Sequence, residues 1–353
     1  MQCWGKLEEP VPHNVYVLRP VRKDRHWENR NHSLRLKPVT TRMPWNWRPE
    51  MPKVSVIIPT HDRAELLRLA ITSVIDQTFK DWEIIVVDDQ STDHTPAVVE
   101  SFADKRIKYL HNKGKNGPSI ARNLAISAAS GEYIAFLDDD DEWLPHKLEK
   151  QIAVIDSCTE KVGGIYSNRL MIDKSTGEIY SEDPGVETLR GNLLTQLMKK
   201  NPIHTSTLLI RKACLNKIGL FDETMRYMED RDLFIRLSLH WKIEYVDEPL
   251  TKAYYHGKAH LSTNLEGQTK GREVILRRYQ HLLKKNRRSW SKLYVCLGAE
   301  YCQLNNMKKG RNNLLKGIKI YPFSKIALFH FFTSLLGAGN YQRIRKFYKD
   351  ASL

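Results

Sequence analysis

Between residues 53 and 156 short apolar runs alternate with amphipathic ones, and this alternation constrains the fold more than any other feature of the chain. "KVSVIIPT" (53–60), "WEIIVVDD" (82–89), "RIKYLHN" (106–112) and "EYIAFLD" (132–138) read as strands. Between them, "AELLRLAITSVIDQ" (64–77) puts Leu67, Ala70, Ile71, Val74 and Ile75 on one helical face. "STDHTPAVVESFA" (91–103) opens with capping residues, and "GPSIARNLAISAAS" (117–130) stops at Gly131. "KLEKQIAVID" (147–156) follows as a fourth helix. Strands that are apolar throughout and separated by helices predict an α/β fold, with a mostly parallel sheet covered on both faces.

In such a sheet ligands bind beyond the carboxyl ends of the strands. Those ends read Pro59-Thr60-His61-Asp62, Asp88-Asp89, and Asp138 to Asp141. A helix cap uses one acid, whereas four carboxylates together repel one another unless a cation compensates. No G-x-G-x-x-G follows the first strand, and no G-x-x-x-x-G-K-[ST] occurs anywhere, so the glycine cradle of a dinucleotide or P-loop site is missing. Clustered carboxylates repel phosphate, but they hold it indirectly through Mg²⁺ or Mn²⁺, which bridges to diphosphate oxygens.

The net charge of +15 is unevenly spread. Residues 270–353 hold 19 Lys+Arg and 3 Asp+Glu, a balance of +16, so the rest of the chain is close to neutral. The five cysteines are scattered with no C-x-x-C pair, which argues against a disulfide framework or zinc site and suits a reducing compartment. The N-terminus lacks a basic start followed by an apolar run, so no secretory signal is expected and the location expected is cytoplasmic. The longest apolar stretch, "IALFHFFTSLLGAG" (326–339), is too short to span a bilayer. It reads either as a buried helix or as one lying in a membrane interface.

Three segments match a known family in order over residues 53–262. They are "VSVIIPTHDRAELLRLAITSVIDQTFKDWEIIVVDDQSTDHT", "NGPSIARNLAISAASGEYIAFLDDDDEWLPHKLEKQ" and "IGLFDETMRYMEDRDLFIRL". They resemble the family 2 glycosyltransferases of the GT-A fold, inverting enzymes that use a nucleotide-diphospho-sugar and a divalent metal. Any one motif alone is weak; their joint occurrence is specific.

The resemblance implies the following roles. Pro59, His61 and Arg63 contact the base and ribose, with His61 standing where the family commonly has Tyr. Asp89 accepts the uracil N–H, while Asp88 serves structure. Arg122 faces the nucleotide. The aspartate run resembles the D-x-D signature: Asp138 and Asp139 lie near the ribose or metal, Asp140 is the metal ligand, and Asp141 caps the segment leading to Lys147 or supports it from behind the site. "MEDRDLFIRL" (228–237) resembles the acid pair of the acceptor side, which makes Asp230 the general base and Glu229 its orienting or acceptor-binding neighbour. Asp232 and Arg236, at i and i+4, read as a surface pair. His256 matches a metal or diphosphate contact, with His260 as the weaker match, and His204 and Thr205 line the acceptor side.

The expected organisation is an irregular extension over 1–50, a GT-A domain over 51–265 and a basic helical appendage over 266–353. Three readings of that basic region stay open: a solvated face, a surface docking on anionic lipid headgroups at the inner face of a membrane, and nucleic-acid binding. The last has no accompanying motif, and nucleic acid is not expected as a partner. The expected function is a metal-dependent (Mn²⁺ or Mg²⁺) transfer of sugar, most simply from a UDP-sugar, to a saccharide or lipid-linked acceptor in surface polysaccharide assembly. Two alternatives are carried. A sugar-phosphate nucleotidyltransferase wants a Gly-rich basic loop after the first strand, and "PTHDRAE" is not one. A non-catalytic nucleotide- or polyanion-binding protein would not need both the aspartate run and the Glu229-Asp230 pair.

Overall fold

Four strands carry the first half of the sheet: β1 (Val54–Thr60), β2 (Trp82–Asp88), β3 (Ile107–His111) and β4 (Tyr133–Phe136). They pair in parallel in the order β3-β2-β1-β4. Helices α1 (Ala64–Ile75), α2 (Thr95–Glu100) and α3 (Pro118–Ala128) connect them. These elements come from a computed structural model in which residues 51–181, 191, 193–199, 201–255, 264–284 and 286–350 are described. The expected irregular extension, 1–50, lies outside them, as do His256 and His260.

Strand alternation sorts the core. Ile57, Ile85 and Val87 face one apolar cluster, while Val56, Ile58, Ile84 and Val86 face the other, so both sides of the sheet are covered. Because β1 has β2 on one side and β4 on the other, the strand order reverses there, and a crevice opens at its carboxyl end.

Beyond β4 come β5 (Asp141–Trp143), α4 (Lys147–Ser157), β6 (Val162–Asp173), β7 (Ile179–Ser181) and α5 (Leu194–Lys199). A single 3₁₀ turn (Thr205–Thr207), β8 (Leu209–Arg211), α6 (Lys212–Ile218), α7 (Glu229–Ser238) and β9 (Lys242–Tyr255) follow. The sheet continues as β4-β8-β6-β9-β5, with β7 paired to β6. Here only β6 and β9 run parallel; β8 is antiparallel to both neighbours and β5 is antiparallel to β9. The nine-stranded sheet is therefore parallel in the half whose alternation the sequence displays and mixed in the other half.

The C-terminal residues form α8 (Leu265–Tyr279), α9 (Arg287–Gln303), α10 (Met307–Ile320), α11 (Lys325–Leu335) and α12 (Ala338–Asp350). Ile275, Leu276 and Tyr279 of α8, and Leu293 and Leu297 of α9, are buried in the same apolar cluster as Leu233, Phe234 and Leu237 of α7. A polar knot reinforces this contact. Asp232 accepts hydrogen bonds from Arg236 Nε (2.8 Å), Arg278 Nη1 (3.1 Å) and Tyr279 Oη (2.7 Å). Asp232 is 1% exposed, so the pair expected at the surface is instead a buried clamp of α8 on α7. Helices α9 and α10 meet at glycines: a Cβ on Gly310 would lie 2.3 Å from Cys302 Sγ.

Of the two readings of the apolar stretch 326–339, the buried helix is not found. The stretch forms most of α11 and, after a turn at Leu336-Gly337, the start of α12. Among its described side chains only Ala327 and Ser334 are buried, while Ile326, Phe332, Leu335 and Leu336 are exposed.

Removing one partner from a buried ionic knot costs about 3–5 kcal/mol, against at most about 1 kcal/mol for an exposed pair. Asp232→Ala is therefore expected to lower the unfolding free energy by about 3 kcal/mol in urea titrations. A loss within the range of an exposed pair would show that Asp232 does not clamp α8.

Candidate active site

The aspartate run does not continue its strand. Leu137 N–H still bonds to Ile57 O (3.0 Å), after which Asp141 N–H closes a turn onto Asp138 O (3.1 Å) and the chain enters β5. A tight turn gives each of the four residues a different direction. Asp138 accepts from Arg122 Nη2 (2.7 Å). Asp139 accepts from Thr60 Oγ1 (2.8 Å) at the end of β1 and from Arg63 Nη1 (3.0 Å). Asp140 accepts from the same Arg63 Nη1 (2.9 Å). Asp141 accepts from Ser206 Oγ, and its backbone pairs with Ala253 of β9. Asp141 thus belongs to a strand, and α4 follows His146 with no side-chain cap, which corrects the capping role expected for Asp141.

Charge balance differs along the turn. Burial works against ionisation of Asp138, but Arg122, helped by Arg63, outweighs it and holds its carboxyl below the usual range. Burial lifts Asp139 to about 6 despite Arg63, with Asp140 adding to the rise. Asp141 is raised well above the usual range by burial and by Asp138 and Asp140. Arg122 and Arg63, with Arg169 acting on Asp141, therefore leave part of the negative charge uncompensated.

A cation site follows from that residue. Ligand atoms of Asp138, Asp141 and His204 all lie within 4.8 Å of one another. His204 Nδ1 is buried, has no hydrogen-bond partner, and lies 3.6 Å from an Asp141 oxygen. Burial, with help from Arg169, pulls the His204 pKa down to about 3, so the ring is neutral and its lone pair is available. An orphaned imidazole nitrogen facing two carboxylates fits a divalent cation, and two oxygens with one nitrogen suit Mn²⁺ better than oxygen-seeking Mg²⁺. Of the two ligands expected from the sequence, only Asp140 lies among the described residues. Asp140 faces Arg63, and His256 is outside the described residues.

The remaining donor-side residues line the same cavity of about 1070 Å³. Pro59 is the second-last residue of β1, and His61 Nδ1 donates to the Asp89 carbonyl (2.9 Å). The Asp89 carboxylate accepts from Asn112 Nδ2 (2.6 Å) and Gly117 N–H (2.7 Å), one on each oxygen, which leaves a lone pair on each for a ligand. Asp88 is buried and tied to Tyr109 Oη and Ser91 N–H, which is structural work.

On the opposite wall α7 starts at Glu229, directly after Met228 in a left-handed conformation (φ 61°). The helix N-terminus favours the negative charge of Glu229 and Asp230. Glu229 accepts from Arg122 Nη1 (3.2 Å), so one buried arginine joins the donor-side Asp138 to the acid pair. Burial and the neighbouring Asp230 raise Glu229 to about 7, against the pull of Arg122. Burial also raises Asp230, whose Oδ1 accepts from Arg231 N–H (2.7 Å) and Oδ2 from Asn201 Nδ2 (2.9 Å). Thr205 and His204 sit in the wall between the two ends.

Sequence reasoning missed Asp141 as a site residue, along with Ser206, Asn201, Arg169 and Tyr227. Ser206 receives Asp138 N–H (3.1 Å) and donates to Asp141, locking the turn from the 3₁₀ segment. Arg169 on β6 and Tyr227 before α7 line the cavity. Nothing in their local sequence marks them, because they arrive through β6, β8 and the loop before α7.

At the switch point of a mixed α/β sheet, then, strand-end carboxylates face an acid pair across one cleft. The profile of glycosyl transferase family 2 matches residues 55–215. An uncharacterized glycosyltransferase of Rickettsia prowazekii is 35% identical over 216 residues, 61% of this chain and 67% of its own length. The UDP-Glc:alpha-D-GlcNAc-diphosphoundecaprenol beta-1,3-glucosyltransferase WfgD of Escherichia coli is 40% identical over 123 residues, 35% of this chain and 48% of its own. Among solved structures, S. aureus TarS 1–349 in complex with UDP-GlcNAc superposes with a TM-score of 0.63 at 21% identity, covering 85% of this chain and 92% of that one. The chain belongs to glycosyltransferase family 2, and its fold is that of the GT-A enzymes.

Loss of a direct ligand should weaken metal binding more than loss of a bystander. His204→Ala and Asp141→Asn are expected to reduce Mn²⁺ affinity by about tenfold or more in electron paramagnetic resonance titrations with UDP present, and Asp140→Asn by less. The reverse order would move the cation to Asp140.

Proposed function

We propose that this glycosyltransferase transfers a sugar, with inversion, from a UDP-sugar to a hydroxyl of a lipid-linked saccharide during polysaccharide assembly. The observation that carries this reading is Arg122. Its guanidinium binds Asp138, at the strand end, and Glu229, at the start of α7, within a single cavity. The donor end and the acid pair thus form one site. The relatives support the substrate classes, since WfgD is named for a UDP-glucose donor and a diphosphoundecaprenol-linked acceptor.

Asp230 acts as the general base. Arg231 N–H and Asn201 hold its carboxylate, and each oxygen retains a lone pair. As Asp230 removes the acceptor proton, the hydroxyl oxygen bonds to the anomeric carbon from the face opposite the diphosphate. The bond from that carbon to the phosphate oxygen breaks, and its electron pair leaves with the nucleoside diphosphate. Asp138, Asp141 and His204 would hold the divalent cation, which neutralises charge on the departing diphosphate when bound. Asp89, His61 and Pro59 receive the base and ribose, and Arg63 keeps Asp139 and Asp140 compatible with a dianion nearby. A lipid-linked acceptor places the reaction at a membrane surface, and peripheral contact through the basic C-terminal helices is part of this reading.

Calorimetric titration of UDP with and without Mn²⁺ tests the donor half: binding that ignores the metal and survives Asp138→Ala would overturn it. For the base, Asp230→Asn is expected to cut transfer by at least about a thousandfold with UDP affinity unchanged. Loss of both would mean that Asp230 supports the fold instead.

A raised carboxyl must lose its proton before it can accept one, so activity should climb with pH along an acidic limb set by the Glu229–Asp230 pair. Asp230 is the like charge that helps lift Glu229 to about 7, so the pair sheds its last proton there. Glu229→Gln leaves a single carboxyl, and kcat/KM profiles are expected to show the limb moved to lower pH. An unmoved limb would exclude the pair as its source.

A further inference from the structure

We propose that the outward face of α11, with the basic faces of α10 and α12 beside it, docks the enzyme on an anionic phospholipid surface. The place of this contact in catalysis rests on the reading of the acceptor as lipid-linked, whereas the contact itself follows from the helix.

Helix α11 is amphipathic in the reverse sense. Its inner face carries the small Ala327 and Ser334, both buried, together with Phe331, which packs on the cluster that α9, α10 and α12 share. His330 and Tyr341 tie it to α12 through a 2.8 Å hydrogen bond. Its outer face carries Lys325, Phe332 and Leu336 at i, i+7 and i+11, with Leu335 beside them. Phe332 is 61% exposed and Leu336 56%. A helix in a water-soluble protein ordinarily turns such residues inward, and contiguous large apolar side chains facing out mark an interaction surface. Phe323, in the turn leading to α11, is 82% exposed and extends the apolar surface at that end.

Charge selects the partner. Residues 301–349 contain ten Lys+Arg and no Asp or Glu, and the one carboxylate within α10–α12 is Asp350, the last residue of α12, so the cations of these helices far outnumber their acids. Lys316 and Lys319 of α10, Lys325 of α11, and Arg343 and Lys346 of α12 are exposed. Apolar side chains amid an excess of cations match the boundary between acyl chains and anionic headgroups, where both kinds of group are satisfied.

Length sets the mode. The eleven residues of α11 rise about 16 Å, roughly half the hydrocarbon thickness of about 30 Å, and no described helix is long and apolar enough to cross a membrane. The helix would therefore lie in the interface. Nucleic acid satisfies the cations but leaves Phe332, Leu335 and Leu336 against phosphate and water. A second copy paired on this face would bring the same cations together, because a two-fold interface is self-complementary.

Sedimentation of the full chain with large unilamellar vesicles tests this. The wild type is expected to bind vesicles of equal parts phosphatidylglycerol and phosphatidylcholine at least about tenfold more tightly than pure phosphatidylcholine. The double variant F332E/L336E is expected to lose about tenfold or more of that binding, with melting temperature and UDP affinity unchanged, because both side chains face solvent. Retained vesicle binding in the variant overturns the proposal. So does a wild-type dimer in analytical ultracentrifugation that the variant abolishes, which would put a second copy on this face. Binding of a duplex DNA oligonucleotide that the variant keeps, with no vesicle binding in the wild type, overturns it in favour of nucleic acid. UDP titration on the same samples keeps the two readings apart. Lost vesicle binding with UDP binding intact in the wild type condemns the docking face alone, and the opposite result condemns the catalytic reading alone.

Discussion

Arg122 is the side chain on which the site depends, because its guanidinium holds Asp138 and Glu229 at once from a buried position on α3. Burying a guanidinium is costly, and two carboxylates in ion-pair geometry offset that cost where one neutral partner would not. The arrangement also works in reverse. Asp138 and Glu229 are themselves partly buried acids with a cation between them, so the parallel sheet and α7 are tied to one another by a shared charge.

The other contacts distribute the same problem. Arg63 takes Asp139 and Asp140, Thr60 adds a hydroxyl donor to Asp139, and Ser206 binds both ends of the aspartate turn. What is left over is a negative pocket beside an unpartnered imidazole nitrogen, which is the physical description of a cation site. Asp139, Asp141, Glu229 and Asp230 all have raised pKa values for the same two reasons, burial and like charge. A divalent cation at Asp138, Asp141 and His204 would relieve the donor end, whereas the acid pair on α7 has no such relief and remains poised to exchange a proton.

Support for α7 comes from the far end of the chain. Asp232 lies within one turn of Asp230 and is gripped by Arg278 and Tyr279 of α8, so α8 braces the helix that carries Glu229 and Asp230. Those helices then face both ways: α8 and α9 close the core against α7, while α11 turns its large apolar residues outward. Low acid content on α10–α12 is consistent with a surface that has an anionic partner rather than an internal one.

The first half of the fold was legible because its determinants are local. Period-two burial in β1 and β2 and helical spacing in α1 and α3 can be read within a dozen residues, and strand ends in an alternating βα chain converge without further information. The acid pair and the aspartate run could be named for the same reason. Their division of labour could not, since a turn closed by Asp141 N–H onto Asp138 O, with Ser206 arriving from elsewhere, sends four adjacent carboxylates in four directions. Asp141 left the capping role for the cavity, Asp232 left the surface for the core, and the helix over 325–335 lies at the surface rather than in the core. The amino-acid sequence by itself determined which carboxylates stand at the strand ends and how many cations crowd the C-terminus. Only the tertiary structure decided which cation meets which carboxylate, because ion pairing in the site joins residues 16 to 107 positions apart at about 3 Å.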